Sequence, residues 1–183
     1  MHVLAIAGSL REESYNRRLI EAAKGVAPEG MEIVTCDLED LPLFDADVEA
    51  EGDPDSVADF KEAIREADGL LLATPEYQHG VPGVLKNALD WASRPAGDSP
   101  LAGKPAAIMG AMPGFTGTAL AQEQLRQTLV YNDCPLVMEP EVLVGHVVER
   151  LEEEGRVADE TTLGYIRELL ENLAELVELH HAV

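Results

Sequence analysis

The sequence lacks the features that mark secreted, membrane and metal-binding proteins. It holds two cysteines, Cys36 and Cys134, which form neither a C-x-x-C pair nor a metal-ligand spacing. We therefore expect two reduced thiols in a cytoplasmic protein, and no bound metal. No apolar run approaches the roughly 18 residues that span a bilayer, and no signal-peptide pattern opens the chain, so we expect neither a membrane segment nor a leader.

Basic residues are scarce as well. Lysine and arginine number 13 against 35 aspartates and glutamates, which gives a formal net charge of −22. A chain this negative repels nucleic acids and anionic membranes, so we expect neither as a partner. The carboxylates are spread along the whole chain, which favours a halophilic protein from a high-salt cytoplasm, where charges are screened within about 3 Å at 1 M salt. The alternative is a solvated acidic surface without salt adaptation.

What the sequence does contain is a regular alternation of short apolar runs and amphipathic helical periods. Its length of 183 residues and its 46% hydrophobic content predict a single domain, residues 1–183. The pattern predicts strands at residues 3–7, 32–36, 69–73, 106–110 and 136–138. It predicts helices at residues 14–26, 56–67, 84–93, 118–131 and 161–179. Strands that alternate with helices in this way form a doubly wound parallel sheet between two helical layers, an α/β sandwich.

Three loops follow predicted strands and fall at one edge of this sheet. They read GSLREESYN (residues 8–16), TPEYQHGVPG (74–83) and GAMPGFTGT (110–118). In doubly wound sheets ligands bind beyond the carboxyl ends of the strands, where these loops lie. We therefore predict the functional site where the three loops meet.

Three arginines of this acidic chain, Arg11, Arg17 and Arg18, fall within eight residues in and just after the first loop. The loop combines a cation, Arg11, with the hydroxyl and amide donors Ser9, Ser14 and Asn16. A loop before a helix also offers free backbone N–H groups and the positive end of the helix dipole, so this set suits a phosphate monoester. The motifs G-x-G-x-x-G and G-x-x-x-x-G-K-[ST] are absent, which argues against a conventionally bound dinucleotide and against ATP. Ser14 is alternatively an ordinary N-cap, and Arg17 and Arg18 are alternatively solvated helix residues.

The second and third loops suit a flat ring. Prolines and glycines set a rigid backbone in the second loop, and Tyr77 adds aromatic surface in a chain with 4% aromatic residues. His79 is either a general acid or a surface residue, and Glu76 is either a catalytic carboxylate or a residue that orients the backbone. The third loop is rich in glycine and has no basic residue, which predicts approach to a ligand by backbone.

Two motifs, GSLREESYNRRL and PEYQHGVPGVLKNALDW, together resemble the NADPH-dependent FMN reductase family. That family comprises flavodoxin-like flavoproteins, including quinone, azo-dye and chromate reductases. The segments DLEDLPLFDAD and GFTGTALAQEQLRQTL are similar to the same family, so the resemblance covers about residues 3–138. It implies a flavodoxin-like fold with five parallel strands, FMN as cofactor, and NADPH or NADH as co-substrate.

The resemblance also implies site residues. The first loop would hold the FMN phosphate, through Ser9, Arg11, Ser14 and Asn16. The second loop would lie along the isoalloxazine ring and the ribityl chain, through Pro75, Glu76, Tyr77 and Gln78; the family usually has asparagine at position 78. The third loop would meet the other edge of the flavin, through Ala111, Met112, Gly114 and Gly117. A homodimer or homotetramer is implied, with the helix after the second loop near the interface and Trp91 as an interface residue.

The function implied is an FMN-dependent NAD(P)H oxidoreductase that transfers hydride through the flavin to FMN, quinone-like or other small acceptors. No catalytic residue is assigned, because the cofactor carries the chemistry. One alternative is a flavodoxin-type electron carrier, although its threonine-rich T-x-T-G-x-T phosphate loop is absent here. The other is a non-enzymatic interaction module on the same fold, with the acidic segment ELLENLAELVELHH contacting a partner.

Overall fold

A five-stranded parallel sheet lies at the centre of the computed structural model, which describes residues 1–152 and 155–182. The strands are β1 (His2–Ala7), β2 (Glu32–Cys36), β3 (Gly69–Ala73), β4 (Ala106–Ala111) and β5 (Val142–Val144). Their order in the sheet is β2-β1-β3-β4-β5, and every neighbouring pair is parallel. This is the flavodoxin-like order of a doubly wound sheet, so the predicted fold class is confirmed.

Helices cover both faces of the sheet. They are α1 (Tyr15–Val26), α2 (Ala46–Glu51), α3 (Asp55–Glu66), α4 (Gly83–Ala92), α5 (Ala119–Tyr131) and α6 (Glu160–His181), with a 3-10 turn at Val147–Arg150. Helices α1 and α6 pack on one face through residues such as Leu19 and Leu170, and α3, α4 and α5 pack on the other through Phe60, Leu85 and Leu125. Strands β3 and β4 are buried between the two layers, which is why they read as continuous apolar runs. Within the described ranges, no helix has both the length and the apolar character needed to cross a membrane.

The fifth strand is not where the sequence pattern put it. We expected residues 136–138, but Leu136 makes a single bridge to Ala106 at the start of β4, and the paired strand is Val142–Val144. The chain between them contains Pro140, which has no N–H to donate to a neighbouring strand. Residues 136–138 thus belong to a connection, and the strand is the short run that reaches the carboxyl end of β4.

A long connection after β2 runs through residues 37–54 and includes α2, which the sequence analysis did not predict. Trp91 on α4 helps to fix this connection, since its indole N–H donates to the carbonyl of Pro42 at 2.8 Å and its ring meets Phe44 edge-on at 5.0 Å. The side chain of Trp91 is fully buried within its own chain. The expectation that Trp91 is an interface residue is therefore wrong.

Candidate functional site

The three predicted loops meet at the carboxyl edge of the sheet, next to the point where the connections from β1 and β3 leave for opposite faces. They enclose an open cleft of about 160 Å³, lined by Ser9, Arg11, Ser14, Tyr15, Asn16, Pro75, Glu76, Tyr77, Ala111, Met112 and Pro113. Most of the residues predicted from the sequence therefore come together, whereas Gln78, Gly114 and Gly117 lie outside the lining. Tyr15 and Pro113 were not predicted, although both stand inside the quoted loop motifs.

The arginines near the first loop differ in what they contact. Arg17 forms an ion pair with Asp37 at 2.7 Å, and Arg18 forms one with Glu13. The guanidinium of Arg11 lies over the ring of Tyr15, 5.6 Å from its centroid, and forms no ion pair with any other residue in ranges 1–152 and 155–182. Arg11 therefore keeps its positive charge available to an anion at the mouth of the cleft.

The start of α1 adds hydrogen-bond donors to this charge. Ser14 is the N-cap, and its side-chain oxygen accepts from the backbone N–H of Asn16 at 3.2 Å, so the N-cap interpretation is confirmed. Its hydroxyl proton is still free to be donated to a ligand. The first turn of α1 contains no acidic residue, and Glu13, which precedes the N-cap, is paired with Arg18. Ser9, which is 4% exposed, lines the same corner of the cleft.

Asn16 bonds through its side chain to the end of β4. Its side-chain amide donates to the carbonyl oxygen of Ala111 at 3.0 Å, and its side-chain oxygen accepts from the N–H of Ala111 at 2.9 Å. The residue is 2% exposed, and these two bonds use its side-chain oxygen and one of its two amide hydrogens. Asn16 thereby fixes the end of β4 against the first turn of α1.

The second loop makes a tight turn beside the cleft. Tyr77 and Gly80 exchange backbone hydrogen bonds of 3.2 and 3.1 Å, and the central residues Gln78 and His79 have φ values of 52° and 61°. Two successive positive φ values are typical of a type I′ turn. Asparagine tolerates this conformation better than glutamine, so the asparagine usual at position 78 has a backbone explanation that needs no flavin contact. The hydroxyl of Tyr77 lies 3.3 Å from the hydroxyl of Ser9 and joins the second loop to the first.

Glu76 binds backbone groups of a neighbouring helix, and His79 lies on the surface. The carboxylate of Glu76 accepts backbone N–H groups at the start of α5, and its side chain is 4% exposed. The side chain of His79 is 84% exposed, with its Nδ1 atom 3.7 Å from Glu76 Oε1. This geometry favours the interpretation of Glu76 as a residue that orients the backbone over that of a catalytic carboxylate.

The glycines of the third loop pack against β5. A Cβ atom on Gly117, which has a φ of 60°, would lie 2.5 Å from the carbonyl carbon of Leu143. The carbonyl of Gly114 accepts from the N–H of His146 at 3.0 Å, and the N–H of Met112 donates to Val144 at 3.0 Å. The loop thus presents Ala111 and Met112 to the cleft, while Gly114 and Gly117 allow it to lie close to its neighbours.

This geometry agrees with similarity to known proteins. The family model for NADPH-dependent FMN reductase matches residues 1–149. The chain belongs to this family. It is 47% identical over 171 residues to an NAD(P)H-dependent FMN reductase of Pseudomonas aeruginosa, covering 93% of this chain and 92% of that protein. It is 39% identical over 181 residues to a quinone reductase of Escherichia coli K12, covering 97% and 96%.

A solved structure gives the same result for the fold. FerB, a flavoenzyme NAD(P)H:(acceptor) oxidoreductase from Paracoccus denitrificans, aligns with a TM-score of 0.89 and 35% sequence identity over 98% of each chain. The predicted family, fold class and enzyme class are therefore confirmed. As an FMN reductase family member the chain takes FMN as its flavin and NAD(P)H as co-substrate, and the electron-carrier alternative is not favoured.

The residues present fit that flavin. Arg11, which has no ion-pair partner within the described part of the chain, meets the needs of a phosphate monoester together with two serine hydroxyls and the N-terminus of α1. The two thiols offer no competing chemistry, since burial raises the pKa of Cys134 to about 12 and burial, followed by the charge of Asp37, raises the pKa of Cys36. Both cysteines are therefore protonated and unreactive at neutral pH.

Proposed function

We propose that this FMN reductase family member binds FMN in the cleft formed by the three loops and passes reducing equivalents from NAD(P)H to quinone-like acceptors. The observation that carries the site assignment is Arg11, whose guanidinium forms no ion pair with another described residue, near the N-terminus of α1 in a chain with a net charge of −22. Ser9, Arg11, Ser14 and the first N–H groups of α1 would hold the phosphate. Asn16 would support them by fixing Ala111.

The flavin ring would lie between the second and third loops. Pro75, Glu76, Tyr77 and Gln78 would contribute from the second loop, with Gln78 acting through the turn backbone. Ala111 and Met112 would face the ring from β4, and Gly114 and Gly117 would allow the third loop to pack behind it. When bound, FMN supplies the hydride chemistry, and the protein binds it, orients it and leaves one face open.

Exposed apolar side chains on the three loops support an aromatic acceptor. Tyr77, which lines the cleft, is 53% exposed, and Leu10 and Phe115 on the other two loops are 49% and 83% exposed. Such apolar surface suits a flat apolar ring more than a highly charged substrate. A related protein from a Burkholderia species, 40% identical over 177 residues, is named 2-hydroxy-1,4-benzoquinone reductase.

Anaerobic mixing of the FMN-loaded protein with NADH or NADPH tests this proposal. We expect the flavin absorption band to bleach in one two-electron step and to return on addition of a benzoquinone. A protein whose flavin neither nicotinamide reduces would contradict the proposed activity and restore the electron-carrier alternative.

We also propose a homodimer or homotetramer that uses the outer face of α4 and α5. A groove of about 460 Å³ lies between these helices. Tyr131 and Val130 near its end are 89% and 64% exposed, and the Lys86–Asp90 ion pair at 2.5 Å lines its wall. Apolar residues beside paired charges suit a two-fold contact with a second copy. Sedimentation of the wild type and of Tyr131→Glu tests this, because the substitution should lower the mass to that of a monomer.

We place the protein in the cytoplasm of a cell with high internal salt. The two free cysteines and the excess of carboxylates support this placement. The salt dependence of stability, given in the Discussion, is its test.

A further inference from the structure

Helix α5 begins without a cap of its own. Thr118 occupies the N-cap position with a φ of 70°, and its side chain makes no capping hydrogen bond. Its hydroxyl oxygen instead accepts from the side-chain amide of Gln122 at 3.2 Å. The first turn of α5 also contains no acidic residue. The N–H groups at this helix end therefore need an acceptor from elsewhere in the chain.

Glu76 on the second loop supplies that acceptor. Its Oε2 atom accepts from the N–H groups of Leu120 at 3.0 Å and of Ala121 at 3.2 Å. A carboxylate is favoured at this position because it meets the positive end of the helix dipole and makes charge-assisted hydrogen bonds. The contact spans 44 positions of sequence, so it ties two separate parts of the site together.

Gln124, which lies one turn further along α5, holds the other end of the same loop. Its Oε1 atom accepts from the N–H of Val81 at 3.2 Å, and its Nε2 atom donates to the carbonyl of His79 at 3.2 Å. A Cβ atom on Gly80 would lie 2.7 Å from Gln124 Oε1, so a larger residue there would displace the end of the Gln124 side chain. We call Glu76 and Gln124 together the α5 clamp.

The turn between these two contacts is costly to maintain alone. Gln78 and His79 both take left-handed backbone conformations, which side-chain-bearing residues other than asparagine and aspartate adopt rarely. Tyr77 begins this turn, and its hydroxyl reaches Ser9 across the cleft. Release of the turn would therefore move the side chain that joins the second loop to the first.

We propose that Glu76 and Gln124 are positioning residues for the flavin cleft. They hold the 77–80 turn against α5 and thereby keep Tyr77 at Ser9, which fixes the width of the cleft. The role in flavin binding rests on the site assignment proposed above, whereas the clamp itself is a property of the protein without flavin. Neither residue needs to take part in proton transfer, since the carboxylate and the amide bond to backbone groups.

Amide hydrogen exchange on the flavin-free protein tests the clamp first. In Glu76→Ala we expect exchange at Leu120, Ala121, Tyr77 and Gly80 to be at least about tenfold faster, because a charge-assisted contact is lost. Glu76→Gln retains one side-chain oxygen as an acceptor and should fall between Glu76→Ala and wild type. The matched control is Glu123→Gln, which removes the same charge from an exposed position on α5 whose side chain forms no hydrogen bond or ion pair with another described residue.

Flavin binding tests the positioning role second. Glu76→Ala and Gln124→Ala should each lower the affinity for FMN and for riboflavin by the same factor. They should also change the visible circular dichroism of the bound flavin. Unaltered exchange in Glu76→Ala would refute the clamp, whatever the site binds. Faster exchange with unchanged affinity and unchanged dichroism would refute the positioning role. A wild-type protein that fails to bind FMN would overturn the site assignment but leave the exchange result as the test of the clamp.

Discussion

Replacement of Arg11 by alanine tests the phosphate assignment directly, because the same region supplies two matched controls. Arg17 and Arg18 carry the same charge on the neighbouring turn of α1, but their guanidinium groups pair with Asp37 and Glu13. The guanidinium of Arg11 lies over the ring of Tyr15 and forms no ion pair with another described residue. An anion at the N-terminus of α1 therefore meets Arg11 without competition from an attached carboxylate.

The size of the effect follows from one charge-assisted contact. Such hydrogen bonds contribute about 1.5–3 kcal/mol, and the exposure of Arg11 places it in the lower half of that range. We expect Arg11→Ala to weaken FMN binding by about 10- to 30-fold. Riboflavin, which lacks the phosphate, should lose less than about twofold in affinity. Arg17→Ala and Arg18→Ala remove cations that are already paired with carboxylates, and each should lower the affinity for FMN by less than about threefold.

Titration of flavin fluorescence at one fixed salt concentration measures all these affinities. The informative quantity is the ratio of the FMN and riboflavin dissociation constants in each variant. Equal weakening of both flavins by Arg11→Ala would refute the phosphate role. A loss in either control as large as that in Arg11→Ala would show that general charge, rather than a direct contact, governs binding.

Four further predictions concern stability and are all measured by unfolding. The side chain of Lys61 is 2% exposed, and its ammonium group contacts both carboxylate oxygens of Asp53 at 2.8 and 2.7 Å. Asp53→Ala should lower the free energy of unfolding by about 3 kcal/mol, because it leaves a buried charge unpaired, and Lys61→Met should lower it by clearly less. Equal losses in the two variants would contradict this reasoning. Hydrogen bonds from Thr162 and then from Arg150 hold the pKa of Asp159 below its usual value. The stability that the Asp159 charge provides should thus be complete above about pH 4 and lost as the pH falls through the depressed pKa of the folded state. Asp159→Asn should therefore lower the free energy of unfolding by about 1 kcal/mol at neutral pH and leave it unchanged in strong acid. Gln78→Asn should raise the free energy of unfolding by about 0.5–1 kcal/mol, because asparagine tolerates the positive φ; a destabilised variant would refute the turn assignment. The melting temperature should fall as KCl is lowered from molar to millimolar, and a melting temperature indifferent to salt would leave the acidic surface without an adaptive role.

The strands differ in how well the sequence pattern predicts them. Strands β3 and β4 are buried on both faces, so each is a short uninterrupted apolar run that periodicity detects. Strand β5 has three residues, lies at the sheet edge and leaves Leu143 partly exposed. Its neighbour at residues 136–138 is as apolar, and only the register with β4 distinguishes the two. Register is a long-range property, which a local pattern does not contain.

The location of the site was predictable, whereas several roles within it were not. The loops could be placed because parallel strands bring their carboxyl ends to one edge. The partner of Asn16, in contrast, is 95 positions away, and the partners of Glu76 are 44 and 45 positions away. Neither contact has a local signal in sequence. Both side chains looked like ligand contacts because polar residues in a site loop can bind a ligand or the backbone, and spacing does not separate the two.

The net charge and the phosphate site are compatible because of how the cations are distributed. Arg17, Arg94, Lys61 and Arg150 are each paired with a carboxylate within 3.0 Å, so they add no free positive charge. The first turn of α1 has no acidic residue, and Arg11 stands beside it without an ion pair to another described residue. High salt screens the distant carboxylates, which act through space, more strongly than it screens a direct hydrogen-bonded contact. An acidic surface therefore repels an anionic cofactor least at high salt, and under the proposed assignment Arg11 would supply the one direct positive charge that the phosphate meets.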